Sequence, residues 1–288
     1  CNGELYSHPD LDCTVLREMS PNCVLDNVEG EFAYGSVQYD NQSLHTDINV
    51  FTDHLGIRPV FVAVDKKGIG WASEAKALLH MFDGSDIRRL APHQQFNANG
   101  KNLTEILESA HIRTKLPRHR TSTMLHDGYQ SRHRSEAEHC MIITDIMNRA
   151  VHKMMTHGQQ PIGCLLSGGL DSSVVATIAA SIYGPGLPTF SIGLSGSTDA
   201  PYAQLVADSI RSDHTHIEIS EAELVDAVEN VIKCIESYDT TTIRASTPQY
   251  LLAKYISKHT DIKVLLGGDG SDELAAGYLY SHNAPSAD

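Results

Sequence analysis

Short apolar and aromatic stretches, broken by turn residues, mark the first part of the chain, to about residue 107. They predict β-strands at residues 30–39, 60–64 and 68–72. Between the last two strands, residues 65–68 read Asp-Lys-Lys-Gly, a hairpin sequence in which glycine is available for positive φ. The pattern therefore predicts a mostly antiparallel, β-rich first part.

From residue 135 the pattern changes to helices that alternate with apolar strands. Ser135 and Glu138 form a predicted capping box, and apolar residues then recur at helical spacing over 143–154. Strands that are apolar throughout and alternate with helices are typical of a parallel sheet covered on both faces, with ligands at the carboxyl ends of its strands. The predicted strands are 161–166, 189–194, 215–219 and 263–266. The predicted helices between them start near Pro201, near Ser220, which forms a predicted capping box with Glu223, and near Pro248.

A basic stretch separates these two parts. Residues 111–134 contain six Lys or Arg residues against one acidic residue, Asp127, and show no regular pattern. A solvated linker is the favoured interpretation, and a phosphate-holding loop is the alternative. The sequence therefore divides into a first domain at 1–110, a linker at 111–134 and a second domain at 135–288.

Composition narrows the classes of protein. Among 288 residues, 41% are hydrophobic and only 20% charged, which predicts a folded protein, and the net charge of −14 argues against nucleic acid as a partner. No apolar run approaches the ~18 residues of a membrane span, and the N-terminus lacks a signal-peptide pattern, so we expect a soluble, cytoplasmic protein without a membrane partner. The cysteines form no Cys-x-x-Cys pair, which argues against a structural zinc site or a disulfide framework.

One segment carries candidate chemistry. Residues 167–173 read Ser-Gly-Gly-Leu-Asp-Ser-Ser and lie at a predicted strand-to-helix junction. Two glycines allow a close backbone approach, and the hydroxyl groups with the N–H groups of the helix start favour an anion, so we predict a phosphate-binding loop. The loop lacks the lysine of a Walker A motif, and Asp171 would repel phosphate unless a divalent cation bridges them, which implies Mg²⁺. A purely structural turn is the plainer alternative.

This segment resembles the pyrophosphate-binding loop of the ATP-pyrophosphatases, which adenylate a substrate and release pyrophosphate. Residues 190–197, 238–248 and 270–280 resemble the glutamine-hydrolysing asparagine synthetases, and residues 2–6, 53–59 and 72–78 resemble their class II glutaminase domain. The resemblance implies an α/β chain with an α+β N-terminal part. It implies an incomplete glutaminase domain of the N-terminal-nucleophile type, followed by a parallel-sheet ATP-pyrophosphatase domain of the adenine nucleotide hydrolase kind.

The activity implied by the resemblance is ATP-dependent synthesis of asparagine from aspartate through β-aspartyl-AMP. The nitrogen would come from glutamine, or from ammonia where the glutaminase nucleophile is missing, and a homodimer is left open. Two alternatives remain: a β-lactam synthetase-like adenylating enzyme, and a non-catalytic nucleotide-binding remnant. Residues 240–248 match the aspartate-specific segment and favour asparagine.

The resemblance also assigns residues of the synthetase site. It implies Mg²⁺ near Asp171 and Asp272, and it implies that Thr241 and Arg244 handle aspartate as catalytic residues, with a helix-start salt bridge as the alternative for Arg244. Asp269 is a further catalytic candidate. The residues implied for ATP binding are Leu165, Ser167, Gly168, Gly169, Asp171, Ser172, Ser173, Ile192, Gly267 and Gly268.

Asp269 departs from the family pattern. The family has a glutamate here that is thought to manage the ammonia proton during attack on β-aspartyl-AMP, and aspartate is one methylene shorter. A displacement of ~1 Å can cost a catalytic group about 100-fold in rate. The sequence therefore predicts slowed or altered chemistry.

The glutaminase motif also departs from the family. Asn2, Gly3, Glu4 and Asp12 match residues that hold glutamine and stabilise its oxyanion, but the stretch before Asp12 is short, and Thr52 replaces an arginine. In the family, the catalytic cysteine precedes the Asn-Gly-Glu motif by several dozen residues. Here the first residue, a cysteine, adjoins that motif directly. We therefore expect this cysteine to be an ordinary residue, the true nucleophile to be missing, and the chain to be truncated at both ends.

The argument from motif order gives a first prediction. We expect the chain to release no glutamate from glutamine, and Cys1→Ala to leave that result unchanged, because the thiol of Cys1 follows no strand that could bend it toward Glu4. A glutaminase assay that measures glutamate checks this. A glutamate-forming rate that falls on substitution would contradict the argument.

Overall fold

A computed structural model describes residues 1–6, 21, 24, 28, 30–92, 94–114, 134–157 and 160–283. The chain divides into two compact units, Cys1–Glu136 and Ala137–Asp288. Each unit contains hydrophobic clusters of its own. None of the described helices has both the length and the apolar character that crossing a bilayer requires.

The first unit is built on two antiparallel sheets, which confirms the predicted antiparallel, β-rich part. The larger sheet has the strand order β1-β2-β3-β7-β8, and the smaller has the order β5-β4-β6. The elements are β1 Asn2–Leu5, β2 Gly30–Asp40, β3 His45–Thr52, β4 Phe61–Asp65, β5 Gly68–Ala72, β6 Ile87–Arg89, β7 Gln94–Gly100, α1 Leu103–Ser109 and β8 His111–Thr114, with 3₁₀ turns at Ala75–Ala77 and Gly84–Asp86.

Alternating side chains explain how these sheets pack. Val50 and Phe96 of the larger sheet share one buried cluster with Val62 of the smaller sheet. The predicted hairpin is also confirmed, because Asp65 and Gly68 pair across it and the Asp65 carboxylate accepts the Gly68 N–H at 3.1 Å. Period-two alternation and turn chemistry are therefore sufficient to place β4 and β5.

Strand β8 occupies the first four residues of the segment expected to be a linker. It pairs antiparallel with β7, and the Arg113 guanidinium donates to Gln95 Oε1 at 2.9 and 3.2 Å. Gln95 is fully buried and its Nε2 donates to Asn49 Oδ1 at 3.1 Å, so the contact with Arg113 satisfies the remaining amide oxygen. Arg113, one of the basic residues of this segment, therefore belongs to an edge strand of the larger sheet. Residues 115–133 lie outside the described residues.

The second unit contains a four-stranded parallel sheet, which confirms the predicted α/β class. Its strand order is β11-β10-β9-β12, and adjacent strands pair in parallel. The elements are α2 Glu136–Thr156, β9 Ile162–Leu165, α3 Leu170–Tyr183, β10 Pro188–Leu194, α4 Ala200–Ile210, β11 Asp213–Ile219, α5 Glu221–Ile235, α6 Thr240–His259, β12 Val264–Leu266 and α7 Ser271–Ala275, followed by a 3₁₀ turn at Leu279–Asn283.

Helices cover both faces of this sheet. On one face, Leu166 packs with Val175 of α3, and on the other, Phe190 packs with Ile256 of α6. Cys164 lies fully buried in the first cluster, and burial raises the pKa of its thiol to about 12. It therefore behaves as a small apolar side chain rather than a nucleophile or metal ligand.

The helix expected to start near Pro248 begins earlier. Asp239 caps α6 by accepting the Thr242 N–H at 2.7 Å, and Pro248 lies inside the helix. Proline favours the first turn of a helix because it lacks an N–H, but the aspartate cap provides the stronger start signal here. By contrast, the capping box of Ser220 and Glu223 at the start of α5 is confirmed.

Candidate functional site

A cavity of about 490 Å³ opens at the carboxyl edge of the parallel sheet. Loops that follow β9, β10 and β12 contribute to its wall, as the parallel topology predicts. The wall brings together many residues singled out from the sequence, which are Leu165, Ser167, Gly169, Asp171, Ser172, Ile192, Gly267, Gly268, Asp269 and Asp272.

Hydroxyl groups organise the loop between β9 and α3. Ser167 Oγ and Ser172 Oγ are hydrogen-bonded at 2.9 Å, and the Gly169 N–H donates to Ser167 Oγ at 3.3 Å. Gly169 is the N-cap of α3 and supplies no side-chain cap. The first N–H groups of a helix lack intrahelical partners, so this uncapped start is suited to bind an anion.

Gly168 lets this loop lie against the next helix. Its φ is +85°, and a Cβ built on it would lie 2.5 Å from the backbone nitrogen of Ala203 in α4. No other residue type fits both the backbone angle and the contact. Gly168 therefore shapes the loop from behind, while Ser173, also outside the cavity wall, donates its hydroxyl to the Gly169 carbonyl at 2.6 Å.

The cavity is acidic. Its wall carries five carboxylates, and no Lys or Arg occurs among the described residues that line it. A polyphosphate would therefore need backbone dipoles and a cation to bind here. The five are Asp171, Asp199, Asp269, Asp272 and Glu273.

Asp171 and Asp272 fit a metal that arrives with phosphate. No group of three or more His, Cys, Asp or Glu side chains able to hold a metal occurs in the described part of the chain. Mg²⁺ in nucleotide sites is commonly held by one or two protein carboxylates together with substrate phosphates, and the two aspartates meet that requirement. Asp171 also lies in the first turn of α3, where a carboxylate stabilises the helix dipole, so its position has a structural benefit as well.

A tyrosine and a glutamate close one side of the wall. The Tyr278 hydroxyl donates a hydrogen bond to Glu273, and this bond is the main cause that lowers the pKa of the Glu273 carboxyl. Glu273 therefore stays ionised and is already engaged by a protein donor. It is less available to a metal than Asp272, one residue before it.

Two predicted catalytic residues do not reach the wall. Thr241 and Arg244 lie exposed in the first turns of α6, and the wall is instead reached from this helix by Gln249 and Leu252. Arg244 forms no ion pair with any residue that the structure describes, so the helix-start salt bridge is not observed. Asp269 does line the cavity, with Oδ2 held only 2.7 Å from where a Cβ on Gly267 would stand.

Sequence reasoning missed Asp199, His216 and Gln249 as wall residues. Asp199 and Gln249 lie just before or inside predicted helices and carry no local signal. His216 had one, since five of the seven residues of β11, which reads Asp-His-Thr-His-Ile-Glu-Ile, are polar in a sheet expected to be apolar on both faces. Such a polar strand indicates a buried polar contact or a site.

In the first unit, the structure describes only part of the predicted glutamine site. Asn2 Nδ2 donates to Ser73 Oγ at 2.8 Å, so this amide already has a protein partner. Gly3 has φ +138°, and a Cβ there would lie 1.8 Å from the Glu31 carbonyl oxygen, which explains the glycine structurally. Asp12 and the side chain of Glu4 lie outside the described residues.

Asp53, which follows β3 in the first unit, binds backbone N–H groups through its carboxylate. It is 2% exposed, and its carboxylate accepts N–H groups from Phe32, Leu55, Ile57 and Arg58 at 2.9–3.2 Å. These bonds hold the turn after β3 in shape. The buried hydroxyl of Thr52, which stands where an arginine was expected, donates to the Arg58 carbonyl at 2.6 Å and so belongs to the same turn.

Comparison with known proteins identifies relatives of this chain. Residues 143–288 match the family model described as asparagine synthase. A probable asparagine synthetase (glutamine-hydrolyzing) of Acanthamoeba polyphaga mimivirus is 34% identical over 314 residues, covering 100% of this chain and 55% of the relative. The human asparagine synthetase (glutamine-hydrolyzing) is 34% identical, covering 99% and 55%, and asparagine synthetase B of Escherichia coli K12 is 34% identical, covering 99% and 53%.

The chain spans about half the length of the curated relatives it matches. Among solved structures, an NH3-dependent NAD synthetase from Campylobacter jejuni superposes with a TM-score of 0.35 at 20% identity, covering 48% of this chain and 60% of that one. At this score the superposition adds nothing to the assignment.

The contact behind Gly168 gives a second prediction. Gly168→Ala should lower the free energy of unfolding by roughly 1–3 kcal/mol more than Gly186→Ala, because only the first substitution drives a Cβ into α4. Gly186 is a matched control, with φ +88° and no atom within 4 Å of a built Cβ. Urea denaturation of both variants measures the difference, and equal losses would show that the loop does not depend on this contact.

Proposed function

The chain belongs to the asparagine synthase family, and we propose that its second unit uses Mg²⁺-ATP to convert aspartate into β-aspartyl-AMP, which ammonia then converts into asparagine. One observation carries the proposal. The uncapped start of α3, the serine-rich loop before it and the carboxylates of Asp171 and Asp272 all face one cavity. That combination suits a nucleotide triphosphate whose pyrophosphate is the leaving group.

In this proposal the backbone and the loop hold ATP. Leu165, Ile192, Gly267 and Gly268 lie on the wall at strand ends and are assigned to the adenine and ribose. The loop at 167–173 is assigned to the pyrophosphate, with its hydroxyl and N–H groups as donors. Mg²⁺ at Asp171 and Asp272 would neutralise charge that develops on the phosphates.

The first step forms one bond and breaks one. A β-carboxylate oxygen of aspartate attacks the α-phosphorus, and the bond from that phosphorus to the bridging oxygen of pyrophosphate breaks. Thr241 and Arg244 are proposed to bind aspartate, since a guanidinium pairs well with a carboxylate and the exposed Arg244 is available for it.

In the second step, ammonia attacks the acyl carbon and AMP leaves. The nitrogen must lose a proton as the amide forms, and the carboxylate of Asp269 is proposed to receive it. In the first unit, Asn2, Gly3, Glu4 and Asp12 are proposed to bind glutamine, which would supply the ammonia where a glutaminase nucleophile is present, and free ammonia is proposed to serve where it is missing. The names of the relatives as glutamine-hydrolyzing support the use of glutamine.

The third prediction tests the first step. Aspartate-dependent exchange of labelled pyrophosphate into ATP should occur with Mg²⁺, and Asp171→Asn should lower its rate at least about 100-fold and raise the Mg²⁺ concentration needed. Glu221→Gln is the matched control, because Glu221 is also an acidic residue in the first turn of a helix, α5, outside the cavity wall. It should leave the rate unchanged.

The outcomes of this assay separate the candidate functions. Exchange that depends on aspartate and on Asp171 supports the synthetase. ATP binding without exchange would replace it with a non-catalytic nucleotide-binding protein. Neither binding nor exchange would contradict the assignment of the cavity to ATP.

Asp269 provides the fourth prediction. Asp269→Glu lengthens the side chain by one methylene, and its carboxylate, which now lies close to Gly267, would extend farther into the cavity. We expect ammonia-dependent asparagine formation to rise about 10- to 100-fold if reach limits proton transfer. Asp261→Glu, an exposed residue before β12, is the control, and an unchanged or lower rate for Asp269→Glu would show that reach is not limiting.

A further inference from the structure

A continuous chain of hydrogen bonds crosses the β10–β11 pair and ends at the cavity. Thr189 and Ser191 project from β10, and His214 and His216 from β11, on the same face of the sheet. Thr189 Oγ1 lies 2.9 Å from His214 Nδ1, and Ser191 Oγ lies 2.9 Å from His214 Nε2 and 2.8 Å from His216 Nδ1. The two hydroxyl residues are 0% and 6% exposed, whereas the two histidines are half-buried, so these bonds are partly buried.

The end of the hydrogen-bond series farthest from the cavity determines which atom donates in each bond. Thr189 Oγ1 is also bonded to Ser212 Oγ at 2.9 Å, and the Ser212 hydroxyl donates to the Ala207 carbonyl at 3.4 Å. A carbonyl only accepts and each hydroxyl has one hydrogen, so with the Ser212 hydrogen directed to Ala207, whose carbonyl also accepts the Ser212 N–H at 3.0 Å, Ser212 accepts from Thr189. Thr189 in turn accepts from the Nδ1–H of His214.

The same rule fixes the tautomer of each histidine. His214 carries its hydrogen on Nδ1, so its Nε2 accepts from the Ser191 hydroxyl, and Ser191 then accepts from the Nδ1–H of His216. Burial is the main cause that lowers the pKa of His214, which agrees with a neutral ring that carries one hydrogen. Neutral His216 is left with a lone pair on Nε2.

That lone pair is available to a ligand. His216 lines the cavity, and among the residues that the structure describes none bonds to its Nε2. Its Cε1 lies beside Gly193, 3.4 Å from where a Cβ on that glycine would stand. The same Cβ would lie 2.9 Å from Ser197 Cβ, so the absence of a side chain at Gly193 lets the Ser197 side chain pack close to the strand.

The sheet order places this acceptor away from the phosphate loop. In the order β11-β10-β9-β12, the loop follows β9 and Asp272 follows β12, whereas His216 lies on β11 at the opposite edge. A nucleotide whose phosphates contact the loop can direct its nucleoside toward β10 and β11. A lone pair there suits a neutral hydrogen-bond donor and not a phosphate oxygen.

We infer that His216 is a specificity-determining residue whose Nε2 accepts a hydrogen bond from a donor group of the bound nucleoside, either the exocyclic amine of the base or a ribose hydroxyl. Ser191 and His214 are positioning residues that hold His216 in the Nδ1–H tautomer. The inference rests on the proposed use of ATP and extends it, because it assigns the discrimination between nucleosides to a side chain outside the backbone positions proposed above.

The tautomer can be measured without ligand. Long-range ¹H–¹⁵N spectra of the wild-type chain should show His216 protonated at Nδ1 and unprotonated at Nε2 at a pH where the ring is neutral. Ser191→Ala should abolish that preference, since it removes the hydroxyl that accepts from Nδ1. A wild-type ring protonated at Nε2 would overturn the inference.

Binding provides the decisive test, the fifth prediction. Dissociation constants of the Mg²⁺ complexes of ATP, ITP and 2′-deoxyATP would be measured by calorimetry for wild type, His216→Phe and His216→Gln. ITP replaces the exocyclic amine with an oxygen, and 2′-deoxyATP lacks one ribose hydroxyl. Wild type should bind ATP about 10-fold more tightly than one of the two analogues, the value expected for one hydrogen bond.

His216→Phe should reduce that ratio to near one, whereas His216→Gln, which keeps an acceptor at a similar distance from the backbone, should preserve most of it. His152→Phe, an exposed histidine of α2, is the control for replacing a ring. If His216→Phe abolishes the preference for ATP over ITP, the donor to His216 is the exocyclic amine. If it abolishes the preference for ATP over 2′-deoxyATP, the donor is the ribose hydroxyl. Unchanged ratios for both in His216→Phe would overturn the role of His216 alone, whereas a wild-type chain that binds no ATP would overturn the proposed function.

Discussion

The N-termini of α3 and α4 lie close together because residue 168, in the loop before α3, is a glycine without a side chain. Because the backbone of Gly168 lies against Ala203, the loop before α3 reaches the first turns of α4. Both helices then begin at the same cavity, α3 behind Gly169 and α4 behind Asp199. The partial positive charge of two helix N-termini is thus directed into a space whose side chains are acidic.

This geometry explains how an acidic cavity can suit an anionic ligand. A basic cleft would attract any polyanion, including nucleic acid, through long-range charge. Here, attraction by backbone N–H groups operates only within the first turn of each helix, and the carboxylates of Asp171 and Asp272 oppose phosphate that arrives without a cation. The arrangement therefore favours a small metal-bound phosphate over an extended polyanion, which agrees with a chain of net charge −14.

The parts of the fold that were predictable are those with local causes. The capping box of Ser220, the hairpin at Asp65 and the strand-to-helix junction at 167–173 each depend on residues close in sequence, and each appears where expected. Strand β8 and the start of α6 were not predictable in this way. The first depends on a buried amide of β7, and the second on which of two competing signals, an aspartate cap or a proline, determines the helix start.

The wall of the cavity shows the same division. Residues of one loop were identified together because a single motif contains them, whereas Asp199, His216 and Gln249 come from three separate elements and meet only through the tertiary fold. Thr241 and Arg244 show the converse, since α6, which carries the segment that resembles a binding motif, presents Gln249 to the cavity wall and leaves these two side chains exposed outside it. Local motifs predict the element that carries a site, and packing decides which neighbours complete it.

The hydrogen-bonded histidines follow from the same reasoning. A parallel sheet covered by helices is normally apolar on both faces, and a buried polar group without a partner would cost roughly 1–3 kcal/mol. Thr189, Ser191 and His214 avoid that penalty only as a connected set, because each satisfies the next and the Ala207 carbonyl ends the series. Such a set has one free end, and here it opens into the cavity at His216. The polar residues on this face of β10 and β11 therefore satisfy one another, and the role inferred for His216 follows from its place at the end of this set.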